Sequence, residues 1–208
     1  MISFSDAPIT FILLIANLLT SMYAFYGDPT LIDRWSFKPV AVLKGKEYHR
    51  VITGGFLHGS FGHLAFNMIT LYFFGPWIEV FLGPVKFLIV YFGSEITAHL
   101  ATLFFHKDNP SYAAVGASGA ISGILFSFCL FEPFQKIYLL IFPVGIPAFL
   151  FAILYVVFSI FAMRQAGADR MAPGSNIAHE AHLGGAIGGL LLTVLVEPQA
   201  IQIFFSNF

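Results

Sequence analysis

The chain has 208 residues, 58% of them hydrophobic and only 10% charged, with a formal net charge of −1 and a mean hydropathy of +0.82. Ordinary soluble domains carry about 25% charged residues, so a soluble enzyme is excluded, and the near-zero charge offers no basic field for nucleic acid. At about 20 apolar residues per spanning helix, the length predicts an all-α, polytopic membrane protein of six spans with no sizeable soluble domain. The single Cys129 allows no internal disulfide.

The first expected span covers residues 9–25 and ends at Gly27, Asp28 and Pro29. It lacks a basic stretch and a small-residue cleavage site, so it reads as a retained span and not a removable leader. The next segment, 27–60, mixes Asp28, Asp33, Arg34, Lys38, Lys44, Lys46, Glu47 and Arg50 with Leu31, Trp35, Phe37, Val40, Val42 and Leu43. That blend predicts a loop half-embedded in the interface, with Trp35 and Tyr48 at headgroup level.

The second span is expected at 61–81, broken at its far end by Gly75, Pro76 and Gly83-Pro84; the third is expected at 85–105. His63 and Asn67 lie four apart on the second, and Glu95 and His99 four apart on the third, so each pair shares one helix face. The fourth, 118–131, has 14 residues. At 1.5 Å per residue it covers about 21 Å, short of a hydrocarbon core of about 30 Å. It should therefore begin within the membrane, with backbone 113–117 dipping in beside a wet cavity at Ser118, because irregular backbone survives there only against protein or water. The fifth span, 137–163, carries Pro143 and Pro147 as marks of a kink or a late start. The sixth, 178–196, opens with His179-Glu180-Ala181-His182 and continues with the spaced pairs Gly184/Gly188 and Gly185/Gly189. Gly119 and Gly123 offer the fourth span the same spacing, so two glycine faces can press together and bring His182 to Ser118.

Ser118 follows Gly116-Ala117 and precedes Gly119. Small neighbours let backbone approach the hydroxyl, and Gly116 is free to take angles closed to other residues. A helix start favours negative charge, which suits a nucleophile whose reaction builds an oxyanion. Spans two, four and six run in one direction, so His63, Asn67, Ser118 and His182 fall on one side at comparable depth. The chemistry this predicts is attack by Ser118, with His182 as general base and the Ser118 N–H, His63 and Asn67 as oxyanion donors. Glu180 sits two residues from His182, on roughly the opposite face, so the expectation is a Ser–His dyad without an orienting acid.

These residues lie in four ordered motifs. Gly116-Ala117-Ser118-Gly119 resembles the GxSG motif of rhomboid intramembrane serine proteases, and Ala181-His182-Leu183-Gly184-Gly185 resembles their AHxxG motif. His58, His63 and Asn67 are similar to their HxxxxHxxxN, and Glu79 with Gly83 to their structural ExxxG. The likeness runs over about 45–190. It implies a six-helix core forming one domain over 1–208, with the catalytic part at about 45–197, and a multi-pass serine endopeptidase that cuts single-span membrane substrates in or near the bilayer. It carries the nucleophile to Ser118, the base to His182 and the oxyanion hole to His63 and Asn67, with Gly116, His58 and His179 as accessory candidates. It implies no cofactor and no metal, and a bacterial cytoplasmic membrane as the location. Three features depart from the pattern. Ser122 stands where some members have an aromatic residue against the base, and His49-Arg50 stands where the family has Trp-Arg. The basic residues crowd one side: Arg34, Lys38, Lys44, Lys46, Arg50, Lys107, Arg164 and Arg170 against Lys86 and Lys136. Positive-inside counting then turns the site mouth to the cytoplasm, opposite to the usual bacterial rhomboid orientation.

Other readings make different demands. A metalloprotease would use His179-Glu180-Ala181-His182, but that run is one residue short of HExxH, and chelators would inhibit it. A non-catalytic rhomboid-like protein that binds membrane helices would lack the serine or the histidine. A transporter could use Glu95 and His99 as a proton relay, against which stands their reading as an intrahelical pair. Of the other single residues, His58 reads first as a loop-to-helix hydrogen bonder, His179 as a residue of the cavity mouth, and Arg50 as a partner of Glu79 or of a lipid phosphate. The fifth span, with its prolines, is the expected side of substrate entry.

Overall fold

The computed structural model describes residues 5–139, 142–168 and 178–208. Four helices are long and apolar enough to cross a membrane: α1 (Pro8–Tyr26), α5 (Phe61–Leu82), α6 (Pro84–His106) and α9 (His179–Val196). Two more apolar helices stand with them, α7 (Ser118–Phe131) and α8 (Ala148–Ala168). Between α1 and α5 lie three short helices, α2 (Thr30–Trp35), α3 (Pro39–Leu43) and α4 (Arg50–Thr53), followed by a 3-10 turn at Gly54–Phe56. A last short helix, α10 (Gln199–Ser206), was not anticipated by the spans above.

The short helix α7 is the axis of the bundle. It packs against α5, α6 and α9, and twelve of its 14 residues are buried. Its glycines set that closeness. A Cβ on Gly185 would run into the backbone of Gly119, and one on Gly189 into the Cα of Gly123. The other pair, Gly184 and Gly188, faces α6 instead, against Ala101 and Thr97. One run of glycines thus brings α9 onto two neighbours at once, since adjacent positions on a helix point about 100° apart. Ser127 and Thr193 seal the α7–α9 contact lower down with a hydroxyl–hydroxyl bond of 2.6 Å.

Two expectations about helix ends need correction. Pro76 does not break the second span; it lies inside α5, which runs on to Gly83. There φ is +75°, a conformation that favours glycine, and the chain turns into α6. The fifth span does not begin at 137. Residues Lys136–Leu139 and Phe142–Pro147 form an antiparallel hairpin, β1 and β2, and the helix starts only at Ala148. Pro143 and Pro147 supply no backbone N–H and are poor in a helix interior. Ile137, Val144 and Ile146 are β-branched residues suited to a strand. Among the described residues the fold is therefore mostly helical, as expected, with one two-stranded pairing added.

Loop one is a structured lid of paired charges. Arg50 is buried; it donates to the carbonyls of Asp33 and Ser36 and pairs with Glu47 at 2.7 Å, so its partner is not Glu79. Arg34 pairs with Asp28, and Lys38 with Asp33. Glu79 is buried and reaches back to the start of α1, accepting from the N–H groups of Ile9 (2.9 Å) and Thr10 (2.7 Å) and from the Thr10 hydroxyl (2.7 Å). A carboxylate at a helix N-terminus meets both the orphan donors and the dipole. Glu79→Ala strands those donors where water is scarce. The expected loss is about 3 kcal/mol or more, read as a lower midpoint in detergent denaturation.

Candidate active site

Ser118 is the first residue of α7, and the backbone before it is irregular. Loop one holds that segment: Phe37 and Ala114 exchange two backbone bonds of 2.9 Å, and the Gly116 N–H donates to Gly54 O at 3.0 Å. Three polar groups of this irregular backbone, the Ala114 N–H and C=O and the Gly116 N–H, are thereby satisfied by protein.

The Ser118 hydroxyl lies 2.8 Å from His182 Nε2, brought there by the α7–α9 glycine contact. His182 is on the first turn of α9, so the pair joins two helix starts. Gly116 has φ +127°. Its bare Cα leaves room for His63: a Cβ there would lie 2.6 Å from His63 Cε1, 2.8 Å from Nε2 and 3.6 Å from Asn67 Nδ2. Both α5 side chains therefore converge over the turn that leads into Ser118. Asn67 is buried, and its Nδ2 has no hydrogen-bond partner among the described residues. A buried amide donor left open is costly unless an acceptor reaches it. A cavity of about 30 Å³ lies beside Ser118, lined by Gly116, Ser118, Glu95, His99, Ala178 and Ala181. That is room for about one water molecule.

His58 lies outside this centre and supports it. Ser21 gives its hydrogen to Phe56 O at 3.0 Å. His58 Nδ1, 2.9 Å from the same hydroxyl, must then be the N–H that donates to it. The ring meets His63 edge-on, with centroids 5.0 Å apart. Burial, with His63 adding to it, pushes the His58 pKa down to about 3, so this ring is neutral across the working range.

His179 sits edge-on to His182, with centroids 6.5 Å apart, and to Phe158 of α8 at 5.8 Å. Glu180 turns to the end of α6 and the 107–117 connection that follows it, where Oε1 accepts from the Tyr112 hydroxyl (3.0 Å) and lies 3.1 Å from His106 Nε2. Burial and the neighbouring Glu180 carboxylate raise the Tyr112 pKa. Glu180 is thus committed away from both histidines of its own turn, neither orienting His182 nor standing between them as a metal-site base would.

Two contacts escaped the sequence reading. Ser122, in the place of the aromatic residue, bonds the Tyr155 hydroxyl of α8 at 2.9 Å. Only the fold could show that, because Tyr155 sits mid-helix in an apolar run. Glu95 was read as a partner of His99 and does approach it, at 3.5 Å, but it also accepts the Ala120 N–H at 3.0 Å.

A bundle of apolar helices around a polar centre at two part-buried helix starts defines an integral membrane protein. Residues 45–199 match the rhomboid domain model. The chain is 32% identical over 189 residues to the putative rhomboid protease YdcA of Bacillus subtilis, covering 90% of this chain and 87% of that protein. It is also 32% identical over 188 residues to the mitochondrial rhomboid protein 1 of Saccharomyces cerevisiae, covering 86% of this chain. This chain spans about half (51%) of the yeast relative's length. A shorter likeness, 30% over 87 residues, is to the inactive RHOMBOID-like protein 8 of Arabidopsis thaliana, covering 42% of this chain and 25% of that protein. The chain belongs to the rhomboid family, which is mostly serine intramembrane proteases and also has inactive members.

Proposed function

We propose that the protein is an intramembrane serine endopeptidase working through a Ser118–His182 dyad. The observation that carries this reading is the 2.8 Å Oγ–Nε2 contact beside the open Asn67 donor. Ser118 attacks the substrate carbonyl as His182 Nε2 takes its proton. The oxyanion is received by the Ser118 N–H, His63 and Asn67, at the positive end of α7. His182 returns the proton to the leaving amine, and a water activated by the same ring hydrolyses the acyl enzyme.

The same reading takes residues 1–208 as one domain with its catalytic part at about 45–197. It counts α7 and α8 with the four long helices as six spans. It seats loop one half in the interface, where the pairings of Arg34, Lys38 and Arg50 lower the cost of partial burial. Substrates are single-span membrane proteins entering beside α8, whose late start and, among the described residues, one side-chain hydrogen bond to α7, from Tyr155 to Ser122, make it the looser wall. The likeness over most of its length to a Bacillus protein supports a bacterial cytoplasmic membrane.

The test is labelling of the purified protein by a fluorophosphonate in detergent, alongside cleavage of a single-span reporter. Labelling and cleavage that Ser118→Ala abolishes are the expected result. A folded parent that takes no label and cuts nothing overturns the reading and leaves a helix-binding rhomboid-like protein.

A further inference from the structure

The start of a helix needs acceptors for its first N–H groups, usually from Ser, Thr, Asp or Asn at the N-cap. In α7 that position is Ala117, which has no side chain for the task, and the hydroxyl of Ser118 is engaged with His182. The acceptor comes from another helix: Glu95 Oε2 takes the Ala120 N–H at 3.0 Å. The carboxylate fits because two neighbours are glycines. A Cβ on Gly55 would lie 2.7 Å from Oε1, and one on Gly119 would lie 3.0 Å from Oε2. Glu95 and His99 are both almost fully buried.

A bare carboxylate here would oppose the negative charge that the proposed reaction builds at Ser118. His99 resolves this. Its Nδ1 lies 2.9 Å from Val51 O, a carbonyl that can only accept, so Nδ1 carries hydrogen. Its Nε2 faces Glu95 Oε1 at 3.5 Å. A lone pair and a carboxylate oxygen facing each other repel, so one further proton belongs to the pair, and its net charge is zero whichever partner holds it. The His99 ring stacks on Phe37 with centroids 4.0 Å apart, and Phe37 is the residue whose backbone clasps Ala114 ahead of the Ser118 turn.

On the reading that Ser118 is the nucleophile, we propose that Glu95 and His99 are its positioning residues: a charge-neutral cap, supplied from α6, that fixes the start of α7 and ties it to loop one. Neither residue touches substrate. Glu95 acts through the Ala120 N–H, and His99 acts by supplying the counter-partner and the anchorage to Val51 and Phe37.

The variants Glu95→Leu, Glu95→Gln, His99→Phe and Glu95→Gln/His99→Phe test this, with melting in detergent, kcat and KM on a reporter, and the fluorophosphonate labelling rate measured for each. Gln keeps both contacts without a charge: its carbonyl accepts from Ala120 and its amide donates to His99 Nε2. E95Q is expected within about threefold of the parent. E95L is expected to lose about 100-fold in kcat and in labelling rate at little-changed KM, the scale of a reacting group displaced by about 1 Å, while still melting as a folded protein. H99F leaves the carboxylate unpaired and should be slow; adding E95Q should restore part of the rate, and this arm decides the matter if E95L does not fold. The proposal is overturned if E95L or H99F keeps the parental kcat, if E95Q falls with E95L, or if E95Q fails to improve H99F. A parent that does not label at all fails the protease reading instead, so the two failures are distinct.

Discussion

Replacing His182 with alanine is expected to cost as much activity as replacing Ser118 itself. A serine hydroxyl is a weak nucleophile at neutral pH and needs a base in hydrogen-bond contact to lose its proton as it attacks. His182 Nε2, at 2.8 Å, is the group so placed, and the acid nearest it in sequence, Glu180, is bound to Tyr112 and His106. Among the described residues no other base is in hydrogen-bond contact with the Ser118 hydroxyl: His179 meets His182 ring edge to ring face, and His58 lies on the far side of His63. Residues that act as one unit are not additive; losing either removes most of what both provide, about 10⁴-fold to 10⁶-fold in comparable hydrolases. His182→Ala, Ser118→Ala and the double variant should therefore fall to the same floor in cleavage of a labelled single-span peptide. H182A cleavage above about one per cent of the parent would mean that the proton leaves by another route, and the dyad would be wrong.

How much of this site was legible depends on whether a residue's role is fixed locally or by a neighbour. Ser118 starts α7 at the predicted residue because a glycine-rich turn precedes an apolar run, and both signals are local. The approach of α9 could be read from Gly185 and Gly189, since spacing alone puts them on one face. The spaced pair Gly184 and Gly188 went to α6, because periodicity finds a face but not its partner. The hairpin before α8 was masked by its apolar composition: short buried strands and helices look alike until prolines decide between them. Glu95 shows the limit most clearly. Its sequence spacing offered His99, and the structure keeps that contact, but the decisive bond to Ala120 crosses from α6 to α7. Tyr155 is the same case, a hydroxyl whose partner Ser122 lies 33 positions away.

Gly116→Ala is expected to be the most damaging single-methyl change in the protein. Two costs meet at this position. With φ at +127° the backbone is where side chains are rarely tolerated, a strain of about 1–3 kcal/mol. The added carbon would also sit 2.6 Å from His63 Cε1 and 2.8 Å from Nε2, far inside van der Waals contact, so either the imidazole or the turn must yield. The turn is pinned by the Gly116 N–H bond to Gly54 and by the Phe37–Ala114 clasp, and His63 is backed by His58. Whichever moves, the donors over Gly116 and the start of α7 lose their registration. Loss of one oxyanion donor costs about 10²-fold to 10³-fold in comparable enzymes. G116A should fall by at least about 100-fold in kcat, with a melting temperature lowered by only a few degrees. The cause can be isolated by a double-mutant cycle with His63→Ala. If the methyl acts by displacing His63, then H63A already contains most of the damage, and G116A/H63A should be little worse than the poorer single variant. Additive losses in the cycle would mean that Gly116 serves the backbone alone and that His63 contributes to the site independently of it.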